Sequence, residues 1–471
     1  MRRLLSLRRG RSCPLVPAPL RSRVLRFGRW APQAAPGPGP SCDGAAPGST
    51  GALPPVTAQS SARAGRAGAR PHLMDPPVDG PVAVGEPAGV DRDRRVTVAE
   101  QARSIAAAWS PPDAPASWWL TAATFTAIAE DDELLSLAAA VPLDRLPPLV
   151  LSAALRFHLD ERGPARLAAY YPRPGGGQPP PDEGFRPALR AFARSEASAL
   201  ARLCREHRYQ MNEVGRCLDV VPALAAVAAG DPRPLALVDL GTGAGLGLHL
   251  DRYHYTYRLP DGTESSAGDV RSPVRLSCSV RGRGRPPVPP RLPAVALRLG
   301  VDAEPLDLTD AATARWLAAC VPPEVGAVTR FAAAVEVARA HPAPSLRGDL
   351  VELLPRVVEE VPPERLLCLV DTYVHVFLPP QRLSAFREAV TRIGQVRDVE
   401  WISVDPLVPL GPAATGTVQG LEVPPDWLRD NRDGGVFGVI GRVSIRNGAR
   451  RGAVLGRAHP GAAWLEWTAA L

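Results

Sequence analysis

The stretch Leu237–Leu250, LVDLGTGAGLGLHL, constrains the fold more than any other part of the sequence. A short apolar run enters it, glycines follow at 241, 243, 245 and 247, and leucines resume between and after them. Glycine is needed where a chain turns sharply out of a strand and lets a ligand approach the backbone with no Cβ in the way. The segment reads as strand, glycine loop and helix start, with backbone N–H groups directed at a bound carboxylate or phosphate. The dinucleotide fingerprint G-x-G-x-x-G fails, because Leu246 and Leu248 stand where its third glycine would fall. A G-K-[ST] phosphate loop is also missing.

The surrounding chain carries the texture of a parallel sheet from about residue 231 onward. Short apolar runs bounded by turn residues alternate with helical patterns: 235–240, 294–302, 365–374 and 399–405, then VFGVIGRVSI and a closing AAWLEW. Their apolar character suits strands covered on both faces. The expected fold is a Rossmann-like, mostly parallel α/β domain over 231–471. An inserted β-hairpin is expected near 252–282, where Tyr253, Tyr255 and Tyr257 alternate with polar residues, a turn follows at Asp261-Gly262, and Val274, Leu276, Cys278 and Val280 alternate again. Residues 96–230 read as a helical cap, with a surface loop at 170–184. Residues 1–95 read as a disordered extension rich in Arg, Pro, Ala and Gly that cannot bury a core. Met74 is an expected alternative start.

Charge and cysteine usage narrow the partners. The net charge is +7, yet residues 1–73 hold twelve Arg and one acid, so the remainder is net −4. The basic face of a nucleic-acid binder is not expected on the folded part. The seven cysteines are scattered with no C-x-x-C pair, which suits reduced thiols in a cytoplasmic protein. A metal cluster and a membrane span are not expected either.

The acid-x-Gly-x-Gly-x-Gly spacing at Asp239, Gly241, Gly243 and Gly245 resembles motif I of class I S-adenosylmethionine-dependent methyltransferases. That resemblance implies a glycine loop around the methionine part of the cofactor and an acid at the end of the second strand for the ribose, here Asp302. Arg347-Gly348-Asp349 is similar to the segment whose acid meets the adenine amino group, which makes Asp349 the third cofactor contact. Asp371, Thr372 and Tyr373 occupy the edge where such enzymes place catalytic groups. The N-P-P-Y signature of amino-directed enzymes is absent.

Several further segments occur in one order: QMNEVGRC (210–217), DLGTGAGLGLHLDRYHYTY (239–257), GVDAEPLDL (300–308), RGDL (347–350) and AHPGAAWLEW (458–467). Together they resemble an uncharacterised bacterial family, the domain of unknown function numbered 2332, from about residue 98 to 467. Met211 and Thr242 stand where that family is expected to have Thr and Ser, and Gly247 and His249 where Asn and a hydrophobic residue are commoner.

Gln210, Asn212, Glu213 and Arg216 crowd what reads as a helix leading into the glycine loop. They fit the substrate side of a pocket, with Glu213 as general base and Arg216 holding an anion. They fit equally a capping and ion-pairing network joining the helical region to the sheet. Asp371 is the second candidate base. His375 is expected to be a packed, hydrogen-bonded residue, His158 and His207 solvated, and Asp251 part of a local ion pair. The combined expectation is a small-molecule site for S-adenosylmethionine or a related nucleoside, on an enzyme or on a non-catalytic sensor, with the oligomeric state left open. A hydrolase is disfavoured, since no G-x-S-x-G elbow occurs.

Overall fold

The computed structural model describes residues 88–110, 118–163, 165–172, 178–408 and 414–469. Most of the expected N-terminal extension, including Met74, lies outside the described residues. Helix begins inside its last stretch, at Ala88 rather than near residue 96.

The helical region comprises α1 (Ala88–Ala108), α2 (Trp119–Glu130), α3 (Asp132–Ala139), α4 (Pro147–Arg162), α5 (Phe185–Ser195) and α6 (Ala197–Glu206). Asp131 starts α3 by accepting from the backbone N–H groups of Glu133 and Leu134 at 3.0 and 3.2 Å, satisfying donors that a helix leaves open. Ile128, Leu151, Leu155, Phe185 and Leu189 belong to the core of the helical region. Leu151 and Leu155, like Phe185 and Leu189, stand one turn apart on one helix face.

The next helix, α7 (Cys217–Gly230), belongs to a different core. It is apolar nearly all round and carries Pro222, the character of a helix enclosed by its surroundings. Its valines and leucines pack with residues of the sheet.

The sheet is built from β1 (Leu235–Leu240), β2 (His254–Arg258), β3 (Glu264–Gly268), β4 (Arg275–Arg281), β5 (Val295–Asp302), β6 (Ser345–Arg347), β7 (Leu366–Thr372) and β8 (Val399–Asp405). After a small pair, β9 (Thr417–Val418) and β10 (Leu421–Glu422), come β11 (Gly438–Arg446), β12 (Ala449–Ala458) and β13 (Trp464–Trp467). Between strands run α8 (Ala311–Cys320), α9 (Val325–Ala340), α10 (Leu350–Glu360), α11 (Pro380–Val396) and α12 (Pro425–Arg432). The spatial order is β3-β2-β4-β13-β12-β11-β8-β7-β1-β5-β6. From β6 to β8 every neighbouring pair is parallel, while β8, β11, β12 and β13 pair antiparallel in turn. The molecule is thus mixed α/β with a large, mostly parallel sheet.

The insertion after the glycine loop holds one strand more than a hairpin. β2 and β3 pair antiparallel across Asp261-Gly262, and β4 returns parallel to β2 on its other side. Instead of staying beside β1, this ribbon reaches the opposite end of the sheet, where β4 joins β13. The three alternating tyrosines explain how it is held. Tyr253, Tyr255 and Tyr257 are fully buried and donate to the carbonyls of Leu246 (2.7 Å), Leu250 (2.5 Å) and Leu218 (2.9 Å), so each ring buries apolar area and each hydroxyl keeps a partner. No helix among the described residues is long and apolar enough to cross a membrane.

Candidate functional site

The site begins where β1 ends. Gly241, Gly243 and Gly245 all adopt positive φ, at 75°, 52° and 73°, a region costly for any residue with a Cβ. Gly241 is also tight, since a Cβ there would lie 2.7 Å from Val374 Cγ2. Gly243 faces open space, with no atom within 4 Å of such a Cβ.

The chain then enters two short 3-10 turns over Leu246–Arg252, kinked at His249, where an α-helix was expected. The carbonyls of Leu246 and Leu250 accept the tyrosine hydroxyls, and that of Leu248 accepts Arg298 Nε at 2.9 Å, which ties the turn to the ribbon and to β5.

Beside this turn lies an open cleft. Asp239, Gly241 and Thr242 line it from β1 and its turn, Val370 and Thr372 from β7, and Asn212, Glu213 and Arg216 from the segment before α7. Asp239 Oδ2 accepts from Thr242 Oγ1 at 3.0 Å. Burial, against that hydrogen bond and with the charges of Asp302 and Asp371 adding to it, pushes the Asp239 carboxyl up to about 7.

The other acids take different positions. Asp302 clamps the glycine turn, accepting from Gly243 N at 2.8 Å and from Glu304 N at 2.8 Å. Asp349 caps α10 through the N–H groups of Val351 and Glu352 and pairs with Arg382. Asp371 leaves the cleft altogether. Val370 and Thr372 face it, so strand alternation turns Asp371 to the opposite face, where it is fully buried and accepts from Trp401 Nε1. Burial raises its carboxyl well above the usual range.

Residues 207–213 form no helix, in contrast to the helix expected around Gln210 and Asn212. Asn212 Nδ2 donates to Gln210 O at 3.3 Å, and Gln210 does not line the cleft. Glu213 does, while its Oε1 accepts from Gly215 N at 2.7 Å and pairs with Arg330 at 3.1 Å. Arg216 is buried with its guanidinium 4.0 Å over the ring of Tyr373, a favourable cation–π contact, and its Nε has no hydrogen-bond partner. Capping and pairing therefore coexist with cleft lining in the same side chains.

Further groups were not legible in sequence. A second open pocket is lined by Trp109, Trp118, Glu324 and Arg330, and it shares Glu213 with the cleft. Burial pushes the Glu324 carboxyl up to about 8, against a hydrogen bond from Thr121. Its members span more than two hundred residues of chain, and no local spacing announces them. The fold also assembles Asp371, His375 and Asp405 into a buried group whose ligand-type atoms lie within 4.8 Å of one another, where the sequence led us to expect no such cluster. His158 and His207 are not solvated positions. The first bonds Glu196 at 2.8 Å and the second stacks on Trp316 at 4.1 Å. Asp251 pairs with Arg298 across the turn. The five described cysteines are free and buried.

No curated protein matches the chain at a significant level. The family described as an uncharacterized protein conserved in bacteria (DUF2332) matches residues 96–467, which takes in the helical region, the glycine turn and the sheet through β13. With well over half of its length matched, the chain belongs to that family of uncharacterized proteins conserved in bacteria.

Proposed function

We propose that the cleft binds S-adenosylmethionine or a related nucleoside, and that the protein transfers the methyl group to a small acceptor. The observation that carries this reading is where the glycine turn stands. β5 and β6 lie on one side of β1, β7 and β8 on the other, so the turn occupies the point where strand order reverses. Open parallel sheets bind ligands at that crevice, and the run β6-β5-β1-β7-β8 follows the doubly wound order. Within it, Gly241 and Gly247 line the cleft without side chains, Asp239 offers a carboxyl to a polar group, and Arg216 presents a buried cation for a carboxylate. Gly243, next in the turn, has open space where a Cβ would stand. Asp302 and Asp349, at the ends of β5 and β6, would meet the nucleoside on the far side of the turn.

Methyl transfer depends chiefly on holding donor and acceptor close and in line. Of the two candidate bases, Glu213 borders the cleft and Asp371 does not, so proton removal, where the acceptor requires it, falls to Glu213. One observation favours the alternative of a non-catalytic sensor. Glu213 already serves as cap and ion-pair partner, and a sensor needs no free base. Fold analogy alone does not decide between them.

Calorimetry with S-adenosylmethionine, S-adenosylhomocysteine and NAD, repeated on Asp239→Ala and Gly243→Val, tests the reading. The first two ligands should bind, NAD should not, and both variants should lose binding. Binding with no turnover across a broad acceptor panel would establish the sensor, and no binding of any of the three would end the proposal.

A further inference from the structure

We propose that Asp371, His375 and Asp405 bind one divalent metal ion of the zinc or manganese class, on the face of β7 and β8 turned away from the glycine cleft. The site is independent of what the cleft holds.

Its placement follows from register. β7 and β8 are adjacent and parallel, with Asp371 opposite Ser403 and Thr372 opposite Val404, which brings Asp405, the last residue of β8, level with the turn leaving β7. His375 follows Tyr373 and Val374 of that turn and opens a short 3-10 helix. All three side chains are at most 2% exposed. Among the described residues the ion-pair partner of both acids is His375, and the two carboxyls also lie within hydrogen-bonding reach of each other. A divalent ion would take the place of the proton shared between them.

The Asp371–His375 separation fits an ion better than direct bonding. His375 Nε2 lies 3.3 Å from Asp371 Oδ1, and Nδ1 lies 3.6 Å from Asp405 Oδ2. Charge-assisted N–H···O bonds run at about 2.7–2.9 Å. Two ligands held at about 2.0–2.1 Å from a first-row ion stand about 2.8–3.4 Å apart at octahedral or tetrahedral angles, which matches Asp371 Oδ1 and His375 Nε2. Asp405 faces the other ring nitrogen and reaches the same ion by turning its carboxylate toward Nε2. Asp371 Oδ1 and His375 Nε2 are both buried without a hydrogen-bond partner, and they face each other across that gap.

The remaining atoms of the carboxylates are fixed from behind, as metal ligands usually are. Trp401 Nε1 donates to Asp371 Oδ2. Ser403 Oγ donates to Asp405 Oδ2 at 2.9 Å, and the His375 backbone N–H donates to Asp405 Oδ1 at 2.8 Å. One nitrogen and two carboxylate oxygens, with no thiolate, suit zinc or manganese over softer ions, and the imidazole disfavours magnesium. The ion would pin the turn containing Tyr373, which holds φ at 59°, and Val374, which packs on Gly241.

The test uses the full chain, expressed with zinc and manganese supplied, dialysed, and assayed by inductively coupled plasma mass spectrometry. About one ion per chain is expected, as for other sites of this ligand type. Dipicolinate should lower Tm, and added ZnCl2 or MnCl2 should restore it. Asp371→Asn, which keeps an acceptor for Trp401, and His375→Gln should each weaken metal binding by at least about 100-fold and remove the chelator effect, with circular dichroism unchanged. Should either variant not fold, the chelator and restoration arms on the unmodified chain decide the matter. A chain that stays metal-free after incubation with either salt and melts identically with and without chelator overturns the site, leaving a proton shared among the three residues. Undiminished metal in Asp371→Asn overturns it equally, since the ion would then sit elsewhere.

Discussion

At the scale of single residues, the glycine turn and the acid before it are the most informative positions. Asp239 releases its proton near pH 7 in the folded protein, and near pH 4 in an unfolded chain. Between those values the native state holds a proton that the unfolded state has lost, so the contribution of this group to stability falls as pH rises through that window and levels off above it. Asp239→Asn, which can still accept from Thr242, should therefore melt higher than the unmodified protein at pH 8, with the gain vanishing toward pH 4.5. Differential scanning fluorimetry at several pH values reads this directly, and a gain independent of pH would refute the assignment. Gly241→Ala should cost about 1–2 kcal/mol from its left-handed backbone, before the overlap with Val374 is added. Gly243→Ala has the same backbone cost and no overlap. Denaturant titration of the pair should rank the first as the more destabilised. The sequence made both glycines visible because a residue without a side chain has few other uses after a strand. It could not show which one is crowded, since Val374 lies more than a hundred positions on.

At the scale of elements, the apolar strands were legible nearly to the residue. β1 and β8 have the bounds expected from their runs, β5, β7 and β13 fall inside theirs, and β11 runs one residue past its own, to Arg446. β12 was not legible, because ARRGAVLGRA has two arginines next to its first residue and contains two glycines. Its place comes from pairing with β11, not from apolar content. Arginine has a structural use on this part of the sheet. Glu400 on β8 is fully buried and accepts from Arg442 Nε at 2.8 Å, from Arg446 and from Ser444, while Arg446 and Arg233 also hold Asp231 at the entry to β1. Glu400→Ala should cost about 1–3 kcal/mol, because it takes the shared carboxylate from two partly buried guanidiniums rather than removing one contact. Urea unfolding measures the loss, and a cost below 1 kcal/mol would mean the network behaves as a surface pair.

At the scale of the molecule, the ribbon inserted after the glycine turn joins the two ends of the sheet's construction. Its final strand pairs with β13, and α7 packs against both the ribbon and the parallel strands. Gly284, just past β4, lies so near the C-terminal strand that a Cβ would come 1.7 Å from the Trp467 carbonyl oxygen. Gly284→Ala should separate the two, lowering stability by about 1–3 kcal/mol, as overpacking does. Hydrogen exchange should show protection lost first in Arg275–Arg281 and Trp464–Trp467 while β1 stays protected, and uniform loss would contradict this junction. The sequence by itself determined the elements whose signal is local: apolar runs that must be strands, a helical rhythm that must bury one face, and glycines that must turn. Tertiary structure alone decided that Asp371 faces away from the cleft, that Asp302 clamps the turn, that the tyrosine ribbon crosses to the far edge, and that Asp371, His375 and Asp405 converge. Those outcomes depend on strand register and on packing between residues distant in the chain, and neither leaves a periodic trace in the order of amino acids.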